Sequence, residues 1–165
     1  MSRIILVGMM GSGKSTVGQR LATALNSTFA DTDQILVQRL GRPISKLFEL
    51  YGEETFRQHE TAVLRSLGPS DGILATGGGI VLREENWTEL RRLGRSFFLH
   101  VDLEIMVDRL EKSRRKRPLL ANDDWKERFA TLYRERLPLY QKADVQISIH
   151  KNDFDSVVEQ ILNHL

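Results

Sequence analysis

Cysteine is missing from all 165 residues. That excludes disulfides, thiol nucleophiles and cysteine-held metals, and it confines any bound metal to a hard ion carried by oxygen. Long apolar runs are missing as well. No stretch approaches the ~20 residues that span a bilayer, and the opening residues enter a strand instead of forming a secretory signal. A soluble, cytoplasmic protein with no membrane partner is expected. No linker rich in Pro, Gly or Ser divides the chain, and it carries neither an internal repeat nor a low-complexity segment. With 41% hydrophobic residues, it can bury one core, so a single domain over residues 1–165 is expected. Charge of one sign is not in large excess either. Twenty-four basic against 22 acidic residues leave +2, too mild a balance to argue for nucleic acid. The positive charge is concentrated instead: residues 112–117 read Lys-Ser-Arg-Arg-Lys-Arg, five cations in six positions with no acidic tail to balance them.

What is there begins with Gly8-Met9-Met10-Gly11-Ser12-Gly13-Lys14-Ser15-Thr16. Before it, Ile4-Ile5-Leu6-Val7 reads as a buried strand; after it, Val17, Leu21, Ala24 and Leu25 share one helix face. Strand, glycine loop and helix in that order form a phosphate-binding loop. Gly11, Ser12 and Gly13 let backbone N–H groups curl around a β-phosphate, and the helix N-terminus adds its dipole. Lys14 is placed to reach the β- and γ-phosphates, Ser15 to ligate Mg²⁺, and Thr16 to meet the α-phosphate.

Further along, Phe29 to Asp33 reads as a short strand ending in two carboxylates, Asp31 and Asp33, beside the loop. One could hold Mg²⁺ through water and the other orient or deprotonate a hydroxyl; alternatively, Asp33 caps a helix over Gln34–Leu40. Ile44, Leu47, Phe48 and Tyr51 follow a helical stripe closed by Gly52, and a second helix carries Phe56, Val63, Leu64 and Leu67. Glu60 falls on that apolar stripe with Arg57 as its natural partner. The pair is either a surface ion pair or a device that aims Arg57 at an anion. Gly77-Gly78-Gly79 after a buried strand calls for something approaching the backbone closely. Asp102, after the strand Phe97–Val101, reads as an N-cap and not as a metal ligand, and His100 reads as a packed residue. The basic run up to Arg117, followed by Pro118-Leu119-Leu120, reads as a mobile lid over about 111–124 that brings cations to a transferring phosphoryl. After a helix bearing Trp125 and Phe129, a turn is expected at Arg136 to Tyr140, then the strand Val145–Ile149 and a closing helix from Phe154 to Leu165. Alternating strands and helices give an α/β fold, a parallel sheet covered on both faces.

Taken in order, Gly8 to Thr16, Asp31-Thr32-Asp33, Phe56-Arg57 with Glu60, Gly77 to Gly79, Arg117 to Leu120 and Arg136 to Tyr140 resemble the shikimate kinase family over essentially the whole chain. The resemblance implies a three-layer α/β/α P-loop kinase fold with a five-stranded parallel sheet, substrate-binding helices over about 33–67, and a lid. It implies transfer of the ATP γ-phosphoryl to the 3-hydroxyl of shikimate, with Mg²⁺ and a monomeric enzyme. In that pattern Asp33 binds ring hydroxyls and acts as, or positions, the base. Arg57 and Arg136 hold the carboxylate, Glu60 orients Arg57, and the backbone of Gly77, Gly78 and Gly79 meets the substrate. Lys14 and Arg117 face the phosphates, and Asp31 acts on the metal through water beside Ser15. The family's adenine-stacking arginine falls on Arg109 with a lid one residue longer, since position 110 is Leu. The rivals are a kinase of the same fold acting on gluconate or a nucleoside monophosphate, a non-catalytic nucleotide-binding module, and nucleic-acid binding through 112–117.

Overall fold

Residues 2–113 and 123–165 are described by the computed structural model. The apolar run at the start forms β1 (Arg3–Val7), whose last four residues are all buried. A strand buried on both faces belongs in the middle of a parallel sheet. β1 takes that place in a five-stranded parallel sheet of order β2-β3-β1-β4-β5. Its partners are β2 (Phe29–Asp31), β3 (Ile73–Ala75), β4 (Gly94–Val101) and β5 (Val145–Ile149). Leu6 and Asp31 both register with Ala75, so three chain crossings leave the sheet side by side at its C-terminal edge. Open α/β folds bind ligands outside that edge.

Helices cover both faces of the sheet. α1 (Lys14–Ala24) packs on β3 and on the closing helix, and α4 (Glu84–Leu93) packs on β4 and on the helix α3 (Ile44–Ser66). α2 (Thr32–Leu40) and α3 pack on each other around a separate small core of Leu36, Leu47, Phe56 and Val63. α5 (Leu103–Ser113) follows β4, α6 (Trp125–Tyr140) precedes β5, and α7 (Phe154–Leu162) closes the chain. Among the described residues no helix is long and apolar enough to cross a membrane.

Three local expectations need correcting, and a fourth, Asp102 at the N-cap of α5, holds by its backbone. Asp33 is not on a strand: β2 stops at Asp31, whose Oδ1 accepts the Asp33 N–H at 2.8 Å and so caps a helix that starts at Thr32. Capping by the first aspartate therefore turns the second into the first helical turn. Tyr51, expected on the apolar stripe, is exposed; it directly precedes Gly52 (φ 75°, ψ 170°), where α3 kinks and the stripe that buries Leu47 is interrupted. The segment Arg136 to Tyr140 does not turn but continues α6 through Pro138. Proline within the last turn removes one backbone donor, and the packing of Tyr140 against the sheet outweighs that loss. The Asp102 carboxylate faces His150 Nδ1 at 3.0 Å, while its backbone carbonyl opens α5 by accepting from Ile105 and Met106. His100 is half-buried and stacked on Phe98, as a packed residue should be. The lid tip, Arg117 and Pro118 to Leu120 lie outside the described residues.

Candidate active site

The loop between β1 and α1 wraps the N-terminus of a helix with no acidic residue in its first turn, which leaves the positive end of its dipole unopposed. Gly11 and Gly13 hold φ of 79° and 89°, conformations that glycine enters without strain. A Cβ on Gly13 would also meet the Phe154 ring at 2.6 Å. Lys14 Nζ donates to the carbonyls of Gly8 at 2.7 Å and Met9 at 2.9 Å, which holds the ammonium across the mouth of the loop.

A cleft of about 390 Å³ opens over this loop. Of the residues singled out from sequence, Gly11, Gly13, Lys14, Ser15, Thr16, Asp31, Asp33, Gly77, Gly78 and Arg109 line it. Ser12 is buried beneath the loop. Ser15 Oγ donates to Asp31 Oδ2 at 2.9 Å, so a hydroxyl and a carboxylate, both hard oxygen donors, meet beside the phosphate loop. No cluster of three or more His, Asp or Glu side chains suited to a metal occurs among the described residues. Two protein oxygens fit Mg²⁺, which keeps waters and takes its remaining ligands from phosphates, better than a cation needing a full protein cage.

Behind the glycine loop stand the remaining polar groups. The Gly77 N–H donates to Thr32 Oγ1 at 3.0 Å, tying the loop to the start of α2. A Cβ at Gly77 would come within 2.6 Å of Asp33 Oδ1. A Cβ at Gly79 would overlap the Arg57 guanidinium outright. Gly77 and Gly79 thus let a carboxylate and an arginine sit against the backbone from behind, whereas a Cβ on Gly78 would meet nothing nearer than 3.6 Å. Arg57 Nη1 donates to Glu60 Oε1 at 2.6 Å, and the Glu60 side chain is 1% exposed, so this is a buried pair and not a surface one. Arg57 also lies over the Phe48 and Phe56 rings at 5.6 and 5.4 Å. The Nε atoms of Arg57 and Arg136 are both buried and lack a hydrogen-bond partner.

Burial pushes the Glu60 carboxyl above its ordinary value, helped by the nearby Asp33 charge and opposed by Arg57 and Arg136. An unfolded glutamate ionises near 4.5. Between that pH and the raised native value the folded chain holds the extra proton, so this group's contribution to stability falls as pH rises and is fully lost above the native value. The melting temperature of Glu60→Gln relative to the parent chain should therefore improve as pH rises from about 4 to 7. A difference that stays flat over that range contradicts the assignment.

Sequence reasoning named Arg109 but missed the two residues that hold it in place. Arg109 donates from Nε and Nη2 to Asn152 Oδ1 at 3.1 and 2.8 Å and from Nη1 to the Gly11 carbonyl at 3.0 Å. Its guanidinium lies 4.5 Å from the Phe154 ring centroid. Phe154 had read only as a helix core residue and Asn152 carried no signal; their role depends on β4 and β5 ending side by side.

A family model described as shikimate kinase matches residues 10–165. A shikimate kinase of Synechococcus sp. (strain RCC307) is 44% identical over 165 residues, 99% of this chain and 84% of the relative. One of Geobacter sulfurreducens is 42% identical over 159 residues, covering 96% and 87%. The solved structure of shikimate kinase from Acinetobacter baumannii in complex with shikimate superposes with a TM-score of 0.91 at 33% identity, over 99% of this chain and 92% of that one. With the phosphate loop, the paired aspartates and the glycine-backed arginines gathered at one sheet edge, the chain belongs to the shikimate kinase family.

Proposed function

We propose that this cleft transfers the γ-phosphoryl of ATP to the 3-hydroxyl of shikimate, the two arginines holding the acceptor's carboxylate and Asp33 its hydroxyls. The observation that carries this reading is the pair of buried, partnerless Nε donors on Arg57 and Arg136. Buried donors are normally paired, and a carboxylate is the acceptor that matches two guanidinium forks. Glu60 keeps Arg57 aimed, since it binds one nitrogen of the fork and leaves Nε open.

The residues divide the remaining work. The backbone N–H groups of Gly11 to Gly13 with the α1 dipole receive the β-phosphate, Lys14 swings from its loop carbonyls to the β- and γ-phosphates, and Thr16 meets the α-phosphate. Ser15 and, through water, Asp31 would hold Mg²⁺, which would offset charge on the phosphates. Asp33 accepts the hydrogen bond of the attacking hydroxyl and orients or deprotonates it. Arg109, clamped on Phe154 and Asn152, forms a flat wall for the adenine, and Arg117 contributes positive charge to the phosphates. Positioning and charge neutralisation supply the catalysis, so no covalent intermediate is needed. The reading takes residues 1–165 as one domain acting as a monomer in the cytoplasm, without nucleic acid.

Phosphorus–proton correlation NMR of the product made from MgATP and shikimate should show a single ester on the 3-oxygen. An ester on another oxygen, or none, overturns the proposal. Gly79→Ala supplies a second check. The added methyl displaces the Arg57 guanidinium, so the KM for shikimate should rise about tenfold or more while that for ATP holds.

A further inference from the structure

Tyr140 ends the segment that begins with Arg136, yet no step of the proposed transfer uses it. Its side chain is fully buried, and a buried phenol needs partners for its hydroxyl. The hydroxyl donates to the Gly78 carbonyl at 2.7 Å. The Arg136 guanidinium lies against the same glycine, its Nη1 3.6 Å from where a Cβ on Gly78 would sit. The phenol oxygen lies 3.5 Å from Met9 Sδ in the phosphate loop. One hydroxyl thus joins the glycine loop to the nucleotide loop, at the glycine that Arg136 rests against.

Its placement is rigid. Tyr140 is four residues after Arg136 on α6, so the two side chains share a helix face. That alignment exists only because α6 continues through Pro138 instead of turning. The ring is stacked on Phe98 of β4 at 5.2 Å and 20°, anchoring it to the strand beside β1. Burial also holds the phenol above its ordinary value, so its proton is available to the carbonyl at neutral pH.

We infer that Tyr140 is a positioning residue for acceptor binding. Its hydroxyl fixes the Gly78 peptide, against which the Arg136 guanidinium rests, relative to the phosphate loop, so that the acceptor meets the nucleotide in register. This rests on the reading that Arg136 and the Gly77 to Gly79 backbone bind the acceptor. Tyr140 itself touches no reacting atom.

Tyr140→Phe removes one oxygen and keeps the ring and its stack, so the core is not emptied. The KM for shikimate should rise about tenfold, with kcat and the KM for ATP each changing less than about threefold. Arg136→Ala and the double variant complete a cycle. If Tyr140 acts through Arg136, the double variant should bind shikimate about as weakly as Arg136→Ala alone. An unchanged KM for shikimate in Tyr140→Phe, a parallel rise in both KM values, or full additivity in the cycle overturns the inference. If Arg136→Ala itself leaves shikimate binding intact, it is the acceptor-site reading that fails, and the inference falls with it.

Discussion

Replacing Asp33 with Asn should lower kcat by about 10²–10⁴-fold while ATP binding, read by titration calorimetry, stays within about twofold. The substitution keeps size and leaves one carbonyl oxygen, but it removes the negative charge facing the attacking hydroxyl and puts an N–H₂ where an acceptor is needed. Asp33 sits on the first turn of α2, its backbone N–H held by Asp31 and its carboxylate oxygen against Gly77. Those ties fix its direction without using the phosphate loop, so the nucleotide site should not register the change. Near-normal turnover would remove Asp33 from the mechanism. A matched loss of ATP affinity would show instead that the capping arrangement at Asp31 had collapsed.

Arg57→Ala should have two large and separable effects. The first is on binding: a charge-assisted contact to the acceptor carboxylate is lost, raising the KM for shikimate by about 10–150-fold. The second is on stability, because Glu60 is left buried without its guanidinium; breaking such a pair costs about 3–5 kcal/mol, less whatever Glu60 recovers by taking up a proton. Arg57→Met combined with Glu60→Gln separates the two. An apolar stem over the stacked Phe48 and Phe56 rings, opposite a neutral amide, should restore most of the melting temperature and none of the shikimate affinity. Recovery of affinity in that pair would mean that Arg57 serves the fold and not the substrate.

How much of this was legible in the sequence depends on whether the signal is local. The phosphate loop declared itself completely, since glycines, Lys14 and the flanking strand and helix are contiguous. The parallel sheet followed from apolar runs alternating with helical stripes. Glu60 on an apolar stripe pointed to a pair with Arg57, three residues away, because one helix carries both; that the pair is buried and not on the surface took the packing of that helix to show. Other features need the tertiary fold. Asp31 and Asp33 looked like strand neighbours on one face, and only the cap geometry at Asp31 shows that one ends a strand and the other begins a helix. Proline at 138 argued for a turn, and local propensity lost to the packing of Tyr140 on Phe98. The Arg109, Asn152 and Phe154 wall joins residues 43 positions apart in one hydrogen bond, so no window along the chain could display it. Three glycines in a row said that something comes close; that it is Arg57 and Asp33 from behind is visible only in three dimensions.

On this reading the cleft selects a hydroxylated carboxylate and phosphorylates it. Steady-state ADP release with MgATP should therefore be compared across shikimate, quinate, gluconate and AMP at matched concentrations. Fast release with shikimate and near-background release with the other three is the predicted result. Preference for gluconate or AMP would keep the phosphate loop and overturn the roles given to Asp33, Arg57 and Arg136, and no release with any acceptor would contradict the account as a whole.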